Sequence, residues 1–260
     1  MGRALAVVVA HPDDDTFGCS GTVALHAGDP TFRFVLIHAT NGAAGQIAKG
    51  SGATRETLGS VREEEDRRSW IALGREPDRH AWLGYADGGV ADVPFDELVE
   101  VIAEILERER PDVVITFGPE GVTGHPDHIT VGRAATAAFD RLAGAGTSDG
   151  FARLLHQAIR ASDIERLNER LVGDGKEPID PTQLYQPRGV PDETIGVDVD
   201  CTPVVDRKLA ALREHRTQAG DVDAFSEDAM RDALARETHV IARPGGAGGG
   251  APLADVFEGL

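Results

Sequence analysis

The sequence predicts a layered α/β fold, built on a mostly parallel sheet with helices on both faces. Three observations carry this. Short continuous apolar runs recur, as strands covered on both faces require. Helical patterns alternate with those runs, and clusters of ionisable residues follow two of them. The runs are 4–10, 32–38, 81–84 and 113–117, with 154–159 and 195–199 weaker. Helical patterns cover 17–27, 60–73, 95–108 and 129–142. Ser60 and Glu63 have the spacing of a capping box, and Gly28 and Gly74 stand where a left-handed C-cap is expected. Such alternation implies right-handed crossovers and a binding crevice at the carboxyl ends of the strands.

Beyond residue 160 the pattern is less regular. Residues 160–192 read as a polar surface insertion with one short helix, 164–172. Helices at 204–215 and about 226–236 are expected to pack on the sheet. The glycine runs between 244 and 252 suit a flexible linker, which leaves 253–260 frayed or docked. One domain over 1–243 with a flexible tail over 244–260 is the organisation expected.

Composition narrows the function. A chain of 260 residues, 41% apolar, can bury a full core. Its 44 acidic residues against 26 basic give a net charge of −18, which repels nucleic-acid phosphates and anionic membranes. Neither nucleic-acid binding nor membrane insertion is expected. Only Cys19 and Cys201 are present, so a disulfide scaffold is not indicated and a cytoplasmic enzyme is the expectation.

The chemistry lies in two motifs. His11-Pro12-Asp13-Asp14-Asp15 follows the first buried run directly, and crowding carboxylates there is unfavourable unless a cation neutralises them. His11 and Asp14 can converge on one ion across a tight turn. Pro12 restricts that turn. After the run 113–117 comes His125-Pro126-Asp127-His128, again at a helix start. Two such clusters at the ends of parallel strands face one crevice and supply two histidines and a carboxylate, a divalent transition-metal set that zinc and iron(II) both satisfy.

Ala10-His11-Pro12-Asp13-Asp14 and His125-Pro126-Asp127-His128 together resemble the LmbE-like, or PIG-L, family of zinc-dependent de-N-acetylases. Thr40-Asn41-Gly42, Arg62-Glu63-Glu64-Glu65, Gly84 to Gly89, and His215-Arg216-Thr217-Gln218 resemble further parts of its pattern. The resemblance implies a Rossmann-like domain that removes an N-acetyl group from an N-acetylglucosamine-type conjugate, a small-molecule N-acyl amino sugar. It implies His11, Asp14 and His128 as ligands of Zn2+, Fe2+ being the other choice, with Asp13 as general base. His125 would then stabilise the oxyanion, adding positive charge if protonated, with Asp127 orienting it. Asn41, Arg62 and Asp87 are placed to bind sugar hydroxyls, and a homo-oligomer is common in the family. Asp15 stands where Glu is usual, and Thr217 where Ser is.

Two other readings compete. An esterase, a thiol-conjugate amidase or a deacylase of an antibiotic intermediate would use the same site with a different pocket. A nucleotide-binding regulatory domain would share the fold, but the chain lacks both G-x-G-x-x-G after the first strand and a P-loop.

Overall fold

The computed structural model describes residues 3–144, 150–220, 225–245 and 250–260. Its centre is an eight-stranded sheet. Strands β1 Ala4–Val9, β2 Arg33–His38, β3 Arg79–Trp82, β4 Val113–Phe117 and β5 Arg153–Arg160 run parallel in the order β3-β2-β1-β4-β5. The short β6 Gly189–Val190 adds in parallel to β5. β8 Arg236–Arg243 pairs antiparallel with β5, and β7 Val197–Asp200 antiparallel with β8.

The helices are α1 Asp14–Gly18, α2 Ser20–His26, α3 Leu58–Leu73, α4 Phe95–Glu109, α5 Gly121–Gly124, α6 Pro126–Gly144, α7 Ala161–Gly173, α8 Val205–Leu212 and α9 Glu227–Leu234. The expected α/β layering is therefore observed. β1 and β4 are buried along almost their whole length, as strands covered on both faces must be. α4 turns Leu98, Ile102 and Leu106 inward, one every fourth residue. α6 meets it with Ala134, Ala135 and Ala138, small enough for close approach. No helix among the described residues is long and apolar enough to cross a membrane.

Local departures have identifiable causes. The helix expected over 17–27 is two, broken at Cys19 (φ −149°, ψ −3°), and α1 already begins at Asp14. Gly28 is not a left-handed cap, because α2 ends at Ala27 in the right-handed region; Gly74 is one, with φ 84°. α3 starts two residues before Ser60, whose hydroxyl donates to the Thr57 carbonyl, while Glu63 accepts the Asn41 amide 3.0 Å away. The capping box is thus not formed. α6 starts at Pro126, a residue well suited to a first helical position, and so takes Asp127 and His128 into its first turn.

β8 went unforeseen because its Arg, Glu and His look like surface residues. Yet Glu237 is buried, accepting hydrogen bonds from the Gly21 and Thr22 amides and from the fully buried Lys208 at 2.6 Å. The expectation of a flexible tail over 244–260 is corrected at its end. Leu253 bridges Val197, and Val256 and Phe257 are buried, with Phe257 against His26 and Phe32. Two apolar side chains were available to anchor it. Residues 246–249 of the glycine-rich stretch lie outside the described residues.

Candidate active site

β1 and β4 are neighbours, but the chain leaves β1 for β2 on one side and β4 for β5 on the other. At such a switch point the carboxyl ends of the two strands open a crevice. His11 follows β1, and His128 lies beyond the end of β4 in the first turn of α6. Here the two His-Pro-Asp segments meet. His11 Nδ1 is 3.1 Å from His128 Nε2 and 3.4 Å from Asp14 Oδ2, and His128 Nε2 is 3.2 Å from Asp14 Oδ1.

The other ring nitrogen of each histidine is already committed. His128 Nδ1 donates to the Gly121 carbonyl at 2.9 Å, and its ring stacks on Phe117 with centroids 4.2 Å apart. His11 Nε2 donates to Asp87 at 3.0 Å and to Asp127 at 3.3 Å. Both lone pairs are therefore turned toward Asp14, the arrangement in which outer partners set the tautomer of a metal-binding imidazole.

Two tests show that a divalent cation suits these residues. Tetrahedral bonds of about 2.0–2.1 Å place ligand atoms about 3.3 Å apart; the two imidazole nitrogens are 3.1 Å apart, and Asp14 reaches them through different oxygens, Oδ2 at 3.4 Å from His11 and Oδ1 at 3.2 Å from His128. Charge points the same way. Burial alone would lower the pKa of His11, yet hydrogen bonds to Asp127, Asp14 and Asp87 hold it well above its ordinary value. The pocket is short of positive charge. His125 also lies within reach of His11 and His128.

Asp13 sits at the turn with φ 97°, a conformation that strains a non-glycine residue by roughly 1–3 kcal/mol. Burial pushes its carboxyl up to about 7, with the Asp14 charge acting in the same direction and Arg62 against it. Arg62 reaches Asp13 at 3.0 Å and also donates to the Pro12 and Gly42 carbonyls. Gly42 is required there: with φ 68°, a side chain on it would collide with that guanidinium at 2.3 Å.

Several expected roles change with this geometry. Arg62 is buried, with its guanidinium on Asp13 and on the Pro12 and Gly42 carbonyls. Asp87 is likewise engaged, with His11 and with the Ala44 amide at 2.7 Å, and Asn41 with Glu63. Asp127 does not hold His125 through its carboxylate. That group accepts from the Gly88 and Val90 amides at 2.8 and 3.1 Å and from His11, while the Asp127 backbone N–H donates to His125 Nδ1 at 3.1 Å. His125 itself is not protonated near neutral pH: burial, with His11 and His128 beside it, lowers its pKa to about 4. With Nδ1 accepting, Nε2 carries the proton, so His125 is a neutral donor.

Tyr185 and Arg188, in the segment read as a surface insertion, were not foreseen. Tyr185 lies against His125 with centroids 5.0 Å apart, and the Arg188 guanidinium covers Gly124. Thr217 keeps the hydroxyl of the usual Ser and uses it: hydroxyl and amide both donate to Glu65, at 2.6 and 2.9 Å. His215 is buried, with Nε2 3.1 Å from the Thr16 hydroxyl, and Cys19 and Cys201 are free and buried.

Fold and site together define a hydrolase with a buried His/Asp cluster able to hold a divalent metal. Residues 6–139 match the GlcNAc-PI de-N-acetylase family, PIG-L, and the chain belongs to it. A 1D-myo-inositol 2-acetamido-2-deoxy-α-D-glucopyranoside deacetylase of Saccharomonospora viridis is 31% identical, covering 97% of this chain and 99% of its own. A conserved protein of Thermus thermophilus is structurally similar with a TM-score of 0.62 at 25% identity, over 94% of this chain and 96% of its own. The N,N'-diacetylchitobiose deacetylase of Pyrococcus horikoshii shares the fold with a TM-score of 0.60 at 21% identity, over 92% and 83%.

Proposed function

We propose that this protein hydrolyses the acetamide of an N-acetylglucosaminyl conjugate of inositol type, with zinc held by His11, Asp14 and His128. The observation that carries the reading is Asp13: a half-buried carboxyl, outside the trio but next to it in sequence, with its pKa pushed up to about 7. The deacetylase relative matched end to end supports the substrate class.

When bound, the metal lowers the pKa of a water and polarises the amide carbonyl. The chain's own residues do the rest. Asp13 takes a proton from the attacking water as its oxygen bonds to the carbonyl carbon. The Nε2–H of His125 donates to the oxyanion that forms, acting as a neutral hydrogen-bond donor. As the C–N bond breaks, Asp13 returns its proton to the leaving nitrogen, and acetate and a free amine result. Arg62 holds Asp13 in place throughout, and Asp87 and Asp127 keep the His11 lone pair aimed at the trio.

The test is release of primary amine from N-acetylglucosaminyl-inositol, N-acetylglucosamine and a thiol-conjugate amide, and of acetate from an acetyl ester, run on the zinc-loaded protein. Preferential turnover of the inositol conjugate is expected. Turnover of the ester or thiol conjugate with the sugar amides inert would replace the substrate class.

A further inference from the structure

Asp15 separates the pocket from a second group of ligating side chains. Its Oδ1 accepts the Asp13 amide at 3.2 Å and faces His38 Nε2 at 3.6 Å. Beyond it stand His38 at the end of β2, Asp66 on α3 and His80 on the edge strand β3. The register pairs Leu36 with His80 and His38 with Trp82, which puts both imidazoles on one sheet face. Their ligand atoms and that of Asp66 lie within 4.8 Å of one another.

What sets this group apart is unmet bonding. Both Asp66 oxygens and His38 Nε2 are buried without a hydrogen-bond partner. Asp66 Oδ1 is 3.9 Å from His38 Nε2, and Oδ2 is 3.8 Å from His80 Nε2, both beyond hydrogen-bonding range. Asp15, equally buried, is satisfied by Trp70 Nε1 at 2.8 Å and the Asp13 amide. A buried carboxylate with two bare oxygens is costly. A proton on Asp66, which burial and the Asp15 carboxylate favour, gives it a hydrogen bond to Asp15 but leaves its other oxygen and His38 Nε2 unmet. A cation among the three side chains would meet the bare Asp66 oxygens and His38 Nε2, and would take His80 Nε2 from its 2.8 Å contact with His38 Nδ1.

We propose that His38, Asp66 and His80 form a second metal site, separate from the His11, Asp14 and His128 trio. Two imidazoles and one carboxylate select a zinc-class transition cation over magnesium or calcium. His80, on the edge strand and 21% exposed at its side chain, provides the way in. Trp82 stacks on His38 with centroids 4.5 Å apart and walls the site. An ion there ties β3 to β2 and α3 and takes no part in amide hydrolysis.

The experiment is metal analysis of tag-free full-length protein, stripped with chelator and dialysed against zinc. About two zinc ions per chain are expected for the unaltered protein, and about one for each of His128→Ala and His80→Ala. Zinc should still raise the Tm of His128→Ala but not that of the double variant. About one ion per chain in the unaltered protein, lost in His128→Ala and kept in His80→Ala, overturns the second site. One ion kept in His128→Ala and lost in His80→Ala supports it while removing the first. The stoichiometry of the unaltered protein, repeated with cobalt by optical titration, decides the matter even if a variant does not fold.

Discussion

The two His-Pro-Asp segments have like residues in like order, and their backbones use them differently. In the first, the chain turns at Asp13 through φ 97° and leaves its carboxyl with one charged partner, Arg62. In the second, the same tripeptide enters a helix, and Asp127 is committed to two backbone amides and to His11. The outcome is one carboxyl pushed up to about 7 and another held below its ordinary value: burial would raise Asp127, but His11 and the Gly88 amide outweigh it. The fourth positions, Asp14 and His128, both turn into the trio. Thus two aspartates in like sequence settings are held in different states by backbone geometry and not by local sequence.

That contrast can be broken residue by residue. Removing the neutral donor with His125→Ala should lower kcat by about 10²–10³ with bound metal retained; a change within about twofold in steady-state assays would take His125 out of the reaction. Asp127→Asn should act on the metal, weakening its binding about 10–100-fold in competition with a chelator while the metal-saturated kcat falls less. If Asp127→Asn instead cuts kcat at full occupancy as deeply as loss of Asp13, the two aspartates are not distinct.

Arg62→Gln sharpens the comparison through pH. Arg62 lowers the pKa of Asp13, so its loss raises that pKa. Because the base works deprotonated, kcat/KM rises with pH through this pKa, and the acid limb should move to higher pH by about one unit or more. Activity is then lost most at low pH and partly regained at high pH. An unmoved limb would assign it to another group. The smallest effect is expected at the rim, where Tyr185→Ala should raise KM about two- to tenfold with kcat nearly unchanged.

The strands and the trio were legible in the sequence because each depends on neighbours in the chain. β1 is an unbroken apolar run and β4 is one but for Thr116, and the residues of the trio follow within a few positions of a strand end or open a helix. Roles that depend on distant partners were not legible. Arg62 and Asp87 look like free polar side chains until the fold brings Asp13, Gly42 and His11 to them. Glu237 reads as an exposed acid until Lys208 and the first turn of α2 enclose it. His38, Asp66 and His80 have no motif spacing, and only the β2–β3 register and α3 assemble them.

The most direct measurement is zinc content and amine release from N-acetylglucosaminyl-inositol, made side by side on the unaltered protein and on Asp13→Asn. The account predicts that Asp13→Asn keeps the zinc of the trio and loses turnover by about 10²–10⁴. Turnover retained to within about tenfold, or zinc lost together with activity, would contradict the assignment of Asp13 as a base standing outside the metal's ligands.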